Sequence, residues 1–235
     1  MIKIDLQFFG GRGASSGGGG GGSAKGELKL PDGSEIEFEG ELKFGGDDPN
    51  VTGKQRQEIE NWESKRVKNK IEYAYAVDAD GNPVGREVRG TKGSVAPPQY
   101  YRDVPDGAYS HIHPRSTDGI MGGTFSGADM RNFSNSKGRT YRAAAKEGTY
   151  SISKSKNFDS AGFKSYFATL DQKHQSEYRT KVKAFNDAYR SGKISYTDCV
   201  KSNAKAFNTW MVKSHNDLLA GQKQYGYTYT LERRK

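Results

Sequence analysis

Histidine is scarce in this chain, with four residues in 235, yet two stand two positions apart in Ser110-His111-Ile112-His113-Pro114. They close an apolar-leaning run, Gly107-Ala108-Tyr109. If that run is a β-strand, side chains at i and i+2 leave the same face, and both imidazoles can grip one ion. Downstream, Ser126-Gly127-Ala128-Asp129 reads as a helix start, from which Asp129 can return a carboxylate as third ligand. Two histidines, one carboxylate and an open fourth position describe a catalytic zinc site and not a closed structural one.

The elements that must hold these groups are legible as pattern. Residues 27–44 alternate Leu28, Leu30, Ile36, Phe38, Leu42 and Phe44 around Pro31-Asp32-Gly33-Ser34, which predicts a β-hairpin. Thr52 caps a polar helix through about Lys70, with Ile59, Trp62 and Val67 as its apolar stripe. Residues 71–77 read as a strand, 78–83 as a turn and 84–88 as the returning strand. Residues 107–113 form the strand of the paired histidines. Ser126 opens a helix to about Phe133, and 149–152 is a further short strand. In the last third, Phe163, Tyr166, Phe167, Leu170, Tyr178, Val182, Phe185 and Tyr189 recur at helical spacing, with Gly192 as a stop. Ser195 caps a second helix that Gly221 ends, and Tyr225, Tyr227, Tyr229 and Leu231 alternate as a closing strand. Residues 10–26, rich in Gly and Ser, predict a flexible linker behind an N-terminal peptide that offers Leu6, Phe8 and Phe9 to a partner.

Composition narrows the class. Only 33% of residues are hydrophobic and the mean hydropathy is −0.90, low for a chain packed throughout. A single cysteine, Cys199, excludes an internal disulfide and any Cys-rich metal site. No stretch is apolar and long enough to span a bilayer, so the expectation is a cytoplasmic protein without a membrane role. The net charge of +9 lies in residues 151–235, while 1–70 and 71–150 nearly balance. Two readings stand: a surface for nucleic acid or an acidic partner, or lysine-decorated solvent faces of two helices.

The order Glu72, Asp80-Gly81, Gly90-Thr91, Ser94-Val95, His111-x-His113-Pro114 and Ser126-x-x-Asp129 resembles the JAB/MPN (JAMM) metalloprotease family, over residues 58–152. The resemblance implies an α+β fold whose JAB/MPN-like central sheet is flanked by helices. Joined to the patterning above, it divides the chain into four segments: a tail and linker (1–26), a hairpin (27–48), a JAB-like metal domain (52–155) and a basic two-helix extension ending in a strand (156–235). It implies Zn2+ held by His111, His113 and Asp129, Glu72 as general base, and Ser126 as hydrogen-bond donor to the tetrahedral oxyanion. The bond cleaved would be a peptide or isopeptide amide, in a protein or peptide substrate.

Each motif also has a plainer reading. Ser126-x-x-Asp129 is a capping box with Asp for Glu, the histidines could be a hydrated surface pair, and Glu72 an exposed strand residue beside inward Tyr73 and Tyr75. The glycine-rich stretch 117–123 lengthens the gap before Asp129 and leaves Asp118 as an alternative ligand. Glu58, Glu60 and Glu63 on the preceding helix are alternative bases. A rival assignment is an HNH-type metal-dependent nuclease built on His111, Pro114, Gly122-Gly123 and Asn132, with the basic last third on phosphates. A third is a non-catalytic structural or adaptor protein on the same scaffold. Finally, Leu6-Gln7-Phe8-Phe9-Gly10-Gly11-Arg12-Gly13 resembles the opening of phage or prophage structural proteins, which implies a virion or host partner for the N-terminal peptide.

Overall fold

The hairpin is present and longer than its apolar pattern. In the computed structural model, which describes residues 22–114 and 119–233, β1 (Gly22–Lys29) pairs antiparallel with β2 (Glu35–Phe44). Residues 22–26 are therefore strand and not linker, a correction with a simple cause. Strand pairing uses backbone groups that Gly and Ser carry as fully as any residue, and Ala24 is buried opposite Leu42. Gly26, at φ +72°, takes up the register shift between Lys25 and Glu27.

Six further strands form one mixed sheet. They are β3 (Tyr73–Val77), β4 (Val88–Arg89), β5 (Ala108–Ile112), β6 (Thr140–Ala145), β7 (Gly148–Lys154) and β8 (Tyr227–Glu232), in the spatial order β4-β3-β5-β6-β7-β8. All neighbours are antiparallel except β5 and β6. A parallel pair cannot be joined by a tight turn, so the chain crosses over through α2 (Gly127–Asn135), the helix that begins at Ser126. The returning strand expected over 84–88 shrinks to the two residues of β4, because Val84 makes only a single backbone bond to Ala76 before the chain diverges.

The sheet has two unlike faces. One carries Ala74, Ala76, Tyr109, His111, Tyr141, Ala143, Tyr150, Ile152 and Leu231. It packs beneath the hairpin, α2, α3 (Ser160–Arg190) and α4 (Tyr196–Tyr225) in one continuous apolar core that includes Phe38, Leu42, Phe133, Phe163, Val212 and Leu218. The opposite face lies under α1 (Gly53–Arg66), which contributes Ile59 and Trp62. There Arg142, fully buried, is gripped by Glu63 from α1 (Nε–Oε1 2.8 Å) and Glu232 from β8 (Nη2–Oε2 2.9 Å).

Two helix ends differ from expectation. Helix α1 stops at Arg66, short of Lys70. Helix α4 runs through Gly221 to Tyr225 and is capped by Gly226 at φ +68°. Gly221 is a packing residue, since a Cβ there would meet Tyr227 Oη at 2.6 Å and the Tyr166 ring at 2.7 Å. No helix among the described residues is long and apolar enough to cross a membrane.

Candidate metal centre

Strand register brings the chemistry together. Ala74 pairs with His111 across β3 and β5, so Glu72, just before β3, lies opposite His113, just after β5. Alternation then puts Glu72, His111 and His113 on the face opposite α1. His111 is flanked by Ala74 on β3 and Ala143 on β6, and these methyl side chains leave room for imidazole rings. From the far side of the crossover, the first turn of α2 delivers Asp129.

Ligand atoms of His111, His113 and Asp129 all lie within 4.8 Å of one another, and these three could hold a metal ion. The two Nε2 atoms are 2.8 Å apart, and Asp129 Oδ1 is 3.4 Å from His111 Nε2. His113 Nδ1 is 2.9 Å from the Gly123 carbonyl. A carbonyl only accepts, so Nδ1 carries the proton and Nε2 keeps a lone pair for a ligand-binding role. His111 Nδ1 is buried and makes no well-formed hydrogen bond.

Asp129 uses its second oxygen locally. Oδ2 accepts from the Ser126 backbone N–H at 2.8 Å and from the Ser126 hydroxyl at 2.6 Å, while Ser126 Oγ accepts from the Asp129 N–H at 3.2 Å. The capping box and the ligand reading are thus both satisfied by one carboxylate, one oxygen to each. Ser126 is exposed, with its hydroxyl proton committed to Asp129.

The electrostatics match that arrangement. Burial pushes the His113 pKa down to about 4, with further repulsion from His111, so the ring is neutral near pH 7. Burial opposes the imidazolium of His111 as well, but the Asp129 carboxylate outweighs it and the pKa rises. Burial likewise disfavours charge on Asp129, yet attraction to His111 and its hydrogen bonds hold the carboxyl well below the usual range. Glu72, half-buried, is raised to about 7 by desolvation, with His111 pulling it down and Asp129 pushing it up.

The alternatives fall elsewhere. Glu58 accepts from Tyr75 Oη, Glu60 pairs with Arg56, and Glu63 holds Arg142, Ser110 and Thr149 beneath α1, across the sheet from the histidines. Asp118 lies outside the described residues, as does the N-terminal peptide. Asn132 of the nuclease assignment accepts from Arg102 Nη2. A few basic residues of the last third are paired, Lys181 with Glu39 and Lys205 with Glu37 of the hairpin, and Lys213 with Glu177. Sequence reading missed Gly123, whose backbone acceptor has no side-chain signature beyond the glycine pair itself. No family model matches this chain, and no curated protein or solved structure matches it.

Proposed function

We propose that this chain is a zinc-dependent hydrolase of peptide or isopeptide bonds, of the JAB/MPN type. The observation that carries the reading is the meeting of His111, His113 and Asp129 within 4.8 Å, with the carboxyl of Glu72 on the same sheet face. The donor set suits zinc: two imidazoles, one fixed in the tautomer that leaves Nε2 free, and one carboxylate oxygen. Zinc in that set supplies Lewis acidity and lowers the pKa of water from about 16 toward ~7.

The remaining chemistry belongs to the chain. Glu72, with its pKa of about 7, accepts the proton of the attacking water at a carboxylate oxygen and returns it to the leaving amine. Ser126 keeps Asp129 oriented in the resting site. Its hydroxyl becomes a donor to the oxyanion only by releasing Asp129 Oδ2. The nuclease assignment has less support, because Asn132 is engaged by Arg102 Nη2.

Zinc stoichiometry after reconstitution tests the reading. Wild type should take up one equivalent, and His111→Ala and His113→Ala should not. Equal zinc in all three would remove the metal centre. Plasmid nicking by wild type but not by His111→Ala would instead assign the metal to nuclease chemistry.

A further inference from the structure

The carbonyl that fixes His113 does not hold itself in place. Gly122 and Gly123 both turn their N–H groups onto one buried carboxylate, Glu147, in the turn between β6 and β7. Gly123 N is 2.8 Å from Oε1 and Gly122 N is 3.2 Å from Oε2. Tyr150 Oη adds a third donor to Oε1 at 3.1 Å. Glu147 is 5% exposed, and a carboxylate taken this far from water is costly unless its hydrogen bonds are used. Two of the three bonds come from Gly123, which carries the His113 acceptor, and its neighbour Gly122.

The segment admits few other conformations. Gly123 has φ +84°, and a Cβ on it would run into Met211; a Cβ on Gly122 would lie 2.5 Å from Ala145 Cβ. Further back, Met121 N–H donates to Asn208 Oδ1 at 2.9 Å, and Asn208 Nδ2 donates to Gly119 O at 2.8 Å. Both N–H groups are drawn toward Glu147, and the carbonyl of the next peptide unit, Gly123 O, lies 2.9 Å from His113 Nδ1.

We propose that Glu147 is a positioning residue for the metal centre, which sets the His113 tautomer by gripping the Gly122 and Gly123 amides. Its relevance to metal rests on the zinc reading above, whereas the tautomer can be read without metal. Removing the carboxylate frees both amides, lets the Gly123 carbonyl turn away and allows the proton to move to Nε2, where it blocks the ligand lone pair.

The test uses the full chain labelled with 15N-histidine, metal-free, at about pH 7.5, with His113 assigned by comparison with His113→Gln. Long-range 1H–15N correlations distinguish protonated from bare ring nitrogens. Wild type should show His113 with Nδ1 protonated. Glu147→Ala should shift it toward the Nε2–H form and weaken zinc binding by about 10–100-fold. Glu147→Gln, whose Oε1 can still accept from Gly123, should restore the wild-type pattern. Should Glu147→Ala fail to fold, Glu147→Asp serves instead, since its shorter side chain cannot reach both amides. A folded Ala or Asp variant with the wild-type tautomer and zinc affinity overturns the proposal. So does a wild-type His113 protonated at Nε2. Wild type that shows the expected tautomer and its dependence on Glu147 but binds no zinc would refute the hydrolase reading alone.

Discussion

Asp129 divides its two oxygens between a helix cap and the candidate metal, so the two uses separate by substitution. At its place in the capping box, Asn can still accept from the Ser126 N–H through its amide oxygen but brings no charge. Asp129→Asn should keep α2 folded, since the box bond to Ser126 survives, while losing only the metal-free attraction to His111. It should nonetheless lose zinc affinity well beyond the ~10–100-fold that a supporting contact is worth. Competition with a chromophoric chelator and a urea melt read the two effects. Glu72 makes a second prediction. Its pKa is raised from 4.5 to about 7 on folding, so the unfolded chain ionises first as pH rises. This penalty is absent below about pH 4.5, grows between 4.5 and 7, and is complete above 7. Metal-free Glu72→Gln should therefore match wild type near pH 4 and melt higher near pH 8; melting curves that stay parallel with pH would refute it. The histidine pair was legible because i, i+2 spacing places both rings on one face, whereas Asp129 was offered by a helix-start signal and a family resemblance with Asp118 as its alternative. The Gly123 and Glu147 contributions were not legible, since backbone acceptors and a lone turn glutamate leave no periodic trace.

Among the elements, β6 was the one that sequence patterning did not reveal. Thr140 to Ala145 is alanine-rich, contains Arg142 and lacks alternation, because both faces are covered and every residue is buried. Ala143 sits beside His111, Ala144 faces Trp62 of α1, and the arginine lies beneath α1 between two glutamates. Such a buried cation is sensitive to loss of charge. Arg142→Met should leave Glu63 and Glu232 buried without their partner and cost about 3–5 kcal/mol by urea unfolding. A change under 1 kcal/mol would show that water replaces the guanidinium. Helix α4 makes a different demand at Gly221, where sequence logic saw a stop. Gly221→Ala, normally favourable in a helix, should destabilise by about 1–3 kcal/mol, because the methyl group has no room against Tyr166 and Tyr227. The hairpin, β8 and the long helices were readable from period two and period 3.6; the extent of β1 was not, since glycine carries no pattern.

For the whole molecule, the hairpin and the two long helices are not appendages to the sheet. Along β2, the Glu37, Glu41 and Lys43 carbonyls accept from Asn208, Asn216 and His215 of α4, and the Glu39 N–H donates to Thr209. That strand edge, otherwise open to pairing with another chain, is closed by side chains. A chain cut after residue 155 would lose α3, α4 and β8 together and expose the apolar face that carries His111. It should show no cooperative thermal transition by circular dichroism, and a sharp transition would establish an independent metal domain.

The ion triad also has a consequence for synthesis. Glu232 follows Arg142 by ninety residues, so a ribosome that has just released β6 holds a guanidinium with only half of its eventual countercharge. The sheet face under α1 therefore cannot reach its final state until β8 emerges. At about 5–20 residues per second, that wait lasts roughly 5–18 s, during which β7 remains an open edge. The nascent chain is then most vulnerable to chaperone capture and mispairing, and the order of events is set by where one glutamate was placed.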